Sequence, residues 1–427
     1  MAINLANECK QRLHECLVDA LAETTVTNNS FLESIPTQRR EALDKALPNK
    51  TRKDLENYIG EFPLSDFLEG ALARDLQITQ KFELDVHNIP LDKIKGFEDI
   101  DRLAKIYLSE FEALPAIYMF TFPLSKAIGD AIRPLGDRID LTENIAIVFA
   151  KEDFRDIFPL SYKPWETPTI AGIVDLVTNR VGEWSNSIPY MQIRGEGFVG
   201  RFTSTTPELD ALASLRSICG LAIAERTWRA PYKYSSTQPT AKYYIHAKKN
   251  DAWEFLSTIS LDRTIAAVIE RLVPDDLQGT IKPDGLSNWM KKNIDEISLI
   301  LKRPKHSSNI TLGAQWLFDS YATDDPLLSF ISASVVSEIL LGDKLTSEKT
   351  GVTDLLANRC AYLISESHSE RQKALKDFKE IYDVRSRIVH QGKRTLSGDE
   401  RDKLHTLRWM CARIIQEESK LVRKEKL

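Results

Sequence analysis

The residues of this chain best suited to chemistry lie in one short segment near its C-terminal end, residues 375–392. Arg385 is followed five positions later by His390. A histidine gives and takes protons near neutral pH, and an arginine presents a planar fork of donors that can bind two phosphate oxygens at once. Such a pair could therefore move a proton while it stabilises negative charge on a phosphate. As a bare spacing the pattern is weak, because seven histidines produce matches by chance.

The helical context of the segment sets Arg385 apart. At about 100° per residue, the side chains within about 60° of Arg385 are apolar or aromatic. They are Phe378, Ile381, Tyr382, Ile388 and Val389. Arg387 falls on the opposite, charged face, where a solvated arginine is ordinary. We therefore expect Arg385 to be paired, to lie at an interface or to be held for chemistry, because its guanidinium cannot lose its charge.

His390 lies about 140° from Arg385 on an unbroken helix. Gly392 is a helix stop, so we expect the last turn to unwind and His390 to turn toward Arg385 or toward the arginine of a second copy. The alternative is structural: Arg385 is buried against a carboxylate such as Glu338, and His390 only caps the C-terminal end of the helix.

The elements around this segment predict a mainly α fold in three parts. Residues 1–115 are typical of helices, with Leu13, Leu17 and Leu21 at helical spacing. Residues 116–304 mix strand-like and helix-like stretches and indicate an α+β domain with a sensor or regulatory role. Predicted strands there lie near residues 116–122, 145–150, 190–202 and 241–248, and predicted helices near 169–184 and 207–228. Residues 305–427 follow a break at 301–309 and are typical of continuous helix.

Charge is unevenly distributed along the chain. Residues 1–304 carry 37 basic and 44 acidic side chains, whereas residues 385–427 carry 12 basic and 6 acidic ones, although the whole chain has a net charge of −5. A local basic excess can attract phosphates.

The five scattered cysteines lack a C-x-x-C pair, so we expect neither disulfides nor a metal site. With no stretch long enough to cross a bilayer, we expect a cytoplasmic protein that does not contact membranes.

Three other patterns invite a functional interpretation and have a simpler structural one. Gly195, Gly197 and Gly200 match G-x-G-x-x-G, but the residues that follow look extended, so a glycine-rich hairpin is favoured over a phosphate loop. Cys9, His14 and Cys16 point to different faces of a helix and do not indicate a zinc site. Residues 228–249 interleave cations with aromatics, as in base-stacking surfaces, but a strand with alternating exposure also accounts for them.

Residues 330–390 resemble the Apea-like HEPN family, whose ribonucleases carry an R-x4-6-H motif. The resemblance rests on LLSFISASVVSEILLG with its inward Glu338, on DLLANRCAYLIS with Arg359, and on IYDVRSRIVHQG, where Arg385 and His390 fit the motif. The upstream stretch ITLGAQWLFDSYATDD is also similar to that family. A last helix, begun by a capping box at Ser397 and Glu400 and lined by Leu404, Leu407, Cys411 and Ile414, completes a HEPN-type helical bundle over residues 305–427.

The resemblance implies a metal-independent endoribonuclease, without a cofactor, whose active site forms between the two subunits of a homodimer. The expected products from RNA are a 2′,3′-cyclic phosphate and a 5′-OH. Such enzymes serve as toxins or in antiphage defence by abortive infection, and the N-terminal region would sense a phage-derived activator. Arg385 and His390 would be catalytic. The other site residues expected are Ser386, Tyr382 and Glu338 in support, and Lys393 and Arg394 bound to RNA.

The segment departs from the family pattern at two positions. Many members have Asn, Asp or His after the arginine, whereas this chain has Ser386, a smaller side chain that can still form hydrogen bonds. Members paired with a nucleotidyltransferase antitoxin have Tyr two residues after the histidine, where this chain has Gly392, so adenylylation there is not expected. The alternative function is a non-catalytic HEPN module that dimerises or binds RNA or nucleotide.

Overall fold

The computed structural model describes residues 3, 5–56, 58–160, 184–200, 205–231, 241–276, 281, 283–342 and 352–424. Over these residues the fold is mainly α, as the sequence predicts. The described α-helices are α1 (Asn7–Ala22), α2 (Thr37–Ala46), α3 (Asn49–Glu56), α4 (Pro63–Thr79), α5 (Ile100–Glu112), α6 (Lys126–Ile132), α7 (Glu152–Ile157), α8 (Thr206–Ala224), α9 (Arg263–Arg271), α10 (Pro283–Leu301), α11 (Pro304–Tyr321), α12 (Pro326–Leu341), α13 (Val352–Ile364), α14 (His368–His390) and α15 (Gly398–Lys424).

The described strands form three antiparallel sheets with six, three and two members. They are β1 (Thr25–Thr27), β2 (Phe31–Ser34), β3 (Ile89–Pro90), β4 (Ala116–Pro123), β5 (Arg138–Asp140), β6 (Ile145–Phe149), β7 (Pro189–Gly197), β8 (Trp228–Arg229), β9 (Lys242–Lys249), β10 (Ala252–Ser260) and β11 (Val273–Pro274). The helix expected at residues 169–184 falls almost entirely outside the described residues.

The N-terminal helices enclose a core of their own. Leu13, Leu17 and Leu21 are buried where α1 packs against α2 and α5, because residues four apart share one face of a helix. This core takes in buried residues from Leu5 to Leu114 and receives Phe198 from the middle of the chain. A small sheet, β2-β1-β3, also lies here and was not predicted, since strands of two to four residues carry too little alternation to be recognised.

The middle of the chain is organised by the six-stranded sheet, ordered β10-β9-β4-β7-β6-β5. In the register, Phe120 of β4 lies opposite Ile193 of β7 and Ile245 of β9. These side chains face α8 and are buried, because alternate residues of a strand point to one side of the sheet. The opposite side holds a second, aromatic cluster that includes Trp184 and Tyr244 and is closed by α7.

The C-terminal helices share a core with the middle of the chain. Buried residues from Tyr118 to Val422 form one continuous cluster, which crosses the turn between α10 and α11 where the sequence suggested a boundary. At the crossing of α8 and α11, Gly220 lies against the carbonyl of Ala314. Helix α11 also packs on α12, and α13, α14 and α15 complete the bundle. The residues on either side of position 304 are therefore tightly coupled.

No helix within the described ranges combines the length and apolar character needed to cross a membrane.

Candidate active site

Helix α14 carries the arginine and the histidine of the motif. It begins with a capping box in which Ser367 and Glu370 exchange hydrogen bonds. Its inner face is buried from Ala374 to Val384, against α13, α12 and α15. Beyond Val384 the helix begins to emerge from its neighbours: Ile388 packs only partly against the core, and Val389, a member of the predicted apolar stripe, is 47% exposed. The predicted apolar stripe is thus covered along most of α14 and exposed at Val389.

Arg385 lies where the covered part of this face ends. Its side chain is 28% exposed, and one terminal nitrogen lies 3.1 Å from a carboxylate oxygen of Glu338 on α12. The Nε atom is buried and has no hydrogen-bond partner among the described residues. A guanidinium has five N–H donors, so this fork keeps donors that are unpaired among the described residues, and those on its partly exposed terminal nitrogens can reach a ligand. The pairing with Glu338 is the one considered from sequence.

Tyr382 contacts Glu338, the partner of Arg385, from the interior of the bundle. The side chain is buried, and its hydroxyl lies 3.1 Å from the Ser337 hydroxyl and 3.5 Å from Glu338. Burial raises the pKa of Tyr382 far above its ordinary value, so the phenol stays protonated and can donate to the Glu338 carboxylate. Glu338 is therefore fixed by a tyrosine on one side and occupied by an arginine on the other.

His390 is exposed and does not approach Arg385 within the chain. Helix α14 continues through His390, and the N–H of Gln391 still bonds to the Arg387 carbonyl at 3.2 Å. Gly392 then turns the chain at a φ of +63°. The expected unwinding before His390 is therefore wrong, because glycine ends the helix after its last full turn. The two side chains stay about 140° apart around the axis.

The remaining predicted site residues lie around the end of α14. Ser386 and Arg394 are exposed. Lys393 is instead paired with Glu400 of α15 at 3.1 Å, and Arg387 binds the same carboxylate oxygen at 3.1 Å. Arg387 is thus on the outer face as expected, but it is not simply solvated.

Glu400 connects α14 to α15, a role that the sequence analysis did not predict. Its side chain is only 7% exposed, and its second oxygen accepts a hydrogen bond from the Ser397 backbone at 2.8 Å. Burial alone would raise the pKa of Glu400, but the hydrogen bonds from Ser397 and Lys393 outweigh it and lower the pKa. The capping box was visible in the sequence. Its pairing with Arg387 and Lys393, which ties α14 to α15, was not.

The glycine motif has a structural explanation. Gly195 and Gly197 belong to β7, in the interior of the sheet, and no hairpin is formed by the described part of this stretch. Gly197 has a φ of +145°, and a Cβ there would lie 2.6 Å from the Tyr58 carbonyl. β7 pairs with β4 and β6, and residues 198–200 form no strand; the rest of the predicted hairpin, residues 201–204, lies outside the described residues.

The described aromatic residues of the 228–249 stretch are buried in the sheet. Trp228, Tyr243, Tyr244 and His246 are all at most 9% exposed. Lys248 and Lys249 pair with Asp251 and Glu254. These aromatics cannot stack on bases, so the strand interpretation accounts for the described residues; positions 232–240 lie outside them.

The described residues include no cluster of three or more histidine, cysteine or acidic side chains that could hold a metal ion. His14 instead lies 3.2 Å from Asp101, and the five cysteines are free thiols.

Within one chain, the end of α14 thus presents a partly exposed arginine with unused donors and, further round the helix, an exposed histidine. The arginine can bind a phosphate, and the histidine can exchange protons with solvent or a ligand. A site that uses both on one phosphate needs the second group from another copy. Comparison of the chain with protein-family models, with curated proteins and with solved structures found no match.

Proposed function

We propose that residues 305–427 form a HEPN-type endoribonuclease that needs no metal ion or cofactor and acts as a homodimer. The observation that carries this proposal is Arg385, which among the described residues is held by one carboxylate contact and keeps unpaired donors at a partly exposed position of the bundle. A purely structural arginine would be expected to have its donors occupied.

In this proposal the 2′-hydroxyl of RNA attacks the adjacent phosphate. In each site, His390 of one subunit accepts the proton of the 2′-hydroxyl and then returns it to the departing 5′-oxygen. Arg385 stabilises the charge that builds on the phosphate oxygens. Glu338 and Tyr382 hold the arginine, while Ser386 and Arg394 are exposed nearby and available to the RNA backbone. The products are a 2′,3′-cyclic phosphate and a 5′-OH.

The open face of α14 supports the homodimer. Val389 lies about 40° around the helix from Arg385 and is 47% exposed, so an apolar side chain and the arginine share a surface that the described residues leave partly uncovered. A twofold axis close to this surface would cover Val389 and bring His390 of each subunit toward Arg385 of the other.

The Arg385–Glu338 ion pair also favours the alternative, a bundle that dimerises or binds RNA or nucleotide without cutting it. Partly buried ion pairs often hold helices in register. Under this alternative, substitution of Arg385 would loosen the packing of α12 on α14, whereas substitution of the exposed His390 would change little.

An RNA-cleavage assay tests the proposal directly. The full chain is incubated with total RNA and with tRNA in the presence of EDTA, and the product ends are identified. We expect cleavage with cyclic-phosphate ends, and His390→Ala should lose it while remaining folded. His368→Ala, at the other end of α14, is the matched control and should cleave normally. Cleavage that requires Mg²⁺ would contradict the proposal.

Expression in cells separates the two functions. An active ribonuclease should arrest growth, and His390→Ala should relieve the arrest without loss of fold or dimer. A structural role predicts no arrest by either chain.

We further propose that the enzyme acts in the cytoplasm in antiphage defence, with the N-terminal 304 residues as the sensor of a phage-derived activator. The shared core across residue 304 offers a route by which such a signal could reach the bundle.

A further inference from the structure

A cleft of about 880 Å³ opens where the six-stranded sheet meets α8 and the junction of α10 with α11. Small-molecule sites commonly measure about 300–1,000 Å³. Its apolar surface, called here the isoleucine floor, consists of Ile145, Ile193 and Ile218. No residue of α12–α15 lines the cleft, so it is separate from the candidate active site.

Helix α8 forms a polar wall of this cleft. Asp210, Ser214 and Ser217, called here the α8 wall, are spaced four and three residues apart and therefore share one helix face. Ser217 is only 8% exposed and lines the cleft, and no hydrogen bond of its hydroxyl is found within the described part of the chain. A polar group of a ligand in the cleft can therefore serve as its partner.

The mouth of the cleft carries unused charges of both signs. Asp210 is paired with no described basic side chain, and partial desolvation raises the pKa of its carboxyl. Lys302 has no acidic partner among the described residues. Arg194 binds Glu196 at 3.2 Å but is 40% exposed and keeps further donors free. Lys302 and Arg194 are called here the cation pair.

We propose that this cleft binds a mononucleotide. The isoleucine floor suits the flat face of a base, the hydroxyls and carboxylate of the α8 wall suit the ribose hydroxyls, and the cation pair suits the phosphate. The cleft thus offers an apolar, a hydrogen-bonding and a cationic surface, which correspond to the base, the ribose and the phosphate of a nucleotide. A free amino acid would leave much of the volume empty, and a purely apolar ligand would make no use of the charges at the mouth or of the Ser217 hydroxyl.

Calorimetric titration of the full chain with AMP, CMP, GMP and UMP tests this assignment, with adenosine and inorganic phosphate as separate arms. We expect at least one monophosphate to bind, and AMP to bind at least about tenfold more tightly than adenosine or phosphate. Lys302→Ala should weaken AMP binding by about tenfold and leave adenosine binding unchanged. Lys305→Ala removes an equivalent exposed charge outside the cleft and should have no effect.

Ser214→Leu tests the location by filling the cleft with a larger side chain. It should abolish AMP binding, whereas Ser308→Leu on exposed α11 surface should not; circular dichroism checks that both chains are folded. Arg385→Ala should bind AMP normally, which separates this cleft from the proposed nuclease site. Failure of all four monophosphates to bind, equal affinity for AMP and adenosine, or unchanged binding by Lys302→Ala would each overturn the proposal.

Discussion

The guanidinium of Arg385 is held in position by its contact with Glu338. Glu338 holds one end, Tyr382 fixes Glu338, and the buried Nε lacks a partner among the described residues. Lysine could keep the ion pair but could not present the planar fork to two phosphate oxygens. We therefore expect Arg385→Lys to lower the cleavage rate by on the order of 10²–10³, as for loss of a donor to the transition state. The measurement is single-turnover cleavage of labelled RNA.

Arg387→Lys is the matched control, since it makes the same change two residues away on the outer face. It should cleave RNA nearly as fast as the wild type and lose no more than about 1 kcal/mol of stability, because Lys can still reach Glu400. If the Arg387 variant were as inactive as the Arg385 variant while folded, the catalytic group would lie on the other face of α14.

At the level of elements, the end of α14 is joined to the beginning of α15 through Glu400. Arg387 and Lys393 both contact its carboxylate, and Ser397 donates to it from the backbone. This junction surrounds the turn that follows His390. It therefore sets where the exposed histidine stands relative to the bundle.

Glu400→Gln should destabilise the chain by about 1–2 kcal/mol at pH 7, because it removes a charge that receives several hydrogen bonds. The pKa of Glu400 is lowered in the folded chain, so its contribution to stability is full above the unfolded value of about 4.3 and is lost as the pH falls through the lower folded value. Urea unfolding of both chains between pH 7 and pH 3 should show the difference shrink in acid. Glu83→Gln, at an exposed carboxylate, should show no such difference.

The crossing of α8 and α11 depends on the absence of a side chain at Gly220. A Cβ at this position would clash with the backbone carbonyl of Ala314, which cannot move aside as a flexible side chain can. Gly220→Ala should therefore cost about 1–3 kcal/mol or more and shift α11. Gly285→Ala in α10 is the control: its nearest neighbour, Ile281, would be 3.8 Å away, so the helix should gain up to about 1 kcal/mol. Thermal unfolding distinguishes the two; equal stability of both variants would contradict the close crossing.

Across the whole molecule, the periodicity of apolar residues in the sequence predicted helices and strands but did not predict the contacts between them. The spacing of Leu13, Leu17 and Leu21 predicted a buried helix face, and alternation located β4 and β9, because such patterns reflect local geometry. The tie from Arg387 to Glu400 joins residues on separate helices, and the clash at Gly220 involves a partner 94 positions away. Neither leaves a signal in the neighbouring sequence.

In the candidate site, too, the sequence predicted the chemistry of the residues better than their relative positions. Arg385 was identified because it interrupts an apolar stripe, and the structure places it beside Glu338. The position of His390 was mistaken because the sequence contains Gly392 but does not reveal how many turns precede it; the helix continues through the histidine. Residue type indicated the chemistry, while the relative placement of the two groups depended on the exact end of α14.

The separation of Arg385 from His390 within a chain leads to a prediction for the dimer. If each site takes its arginine from one subunit and its histidine from the other, a mixture of Arg385→Ala and His390→Ala chains should contain heterodimers with one intact site and one site lacking both groups. Each variant alone should be inactive. Mixing should restore up to about one quarter of the wild-type rate, since random exchange makes half of the dimers mixed and each has one of two sites.

The double variant Arg385→Ala/His390→Ala, mixed with wild type, is the control for this experiment. Its heterodimers place the intact arginine opposite a missing histidine and the intact histidine opposite a missing arginine, so they should be inactive. Subunit exchange is verified with differently tagged chains. Activity in wild-type/double-variant heterodimers, with none in the complementary mixture, would mean that each chain assembles its own site. In that case α14 would have to unwind near His390 when RNA binds, because the unbound helix keeps the two side chains on different faces.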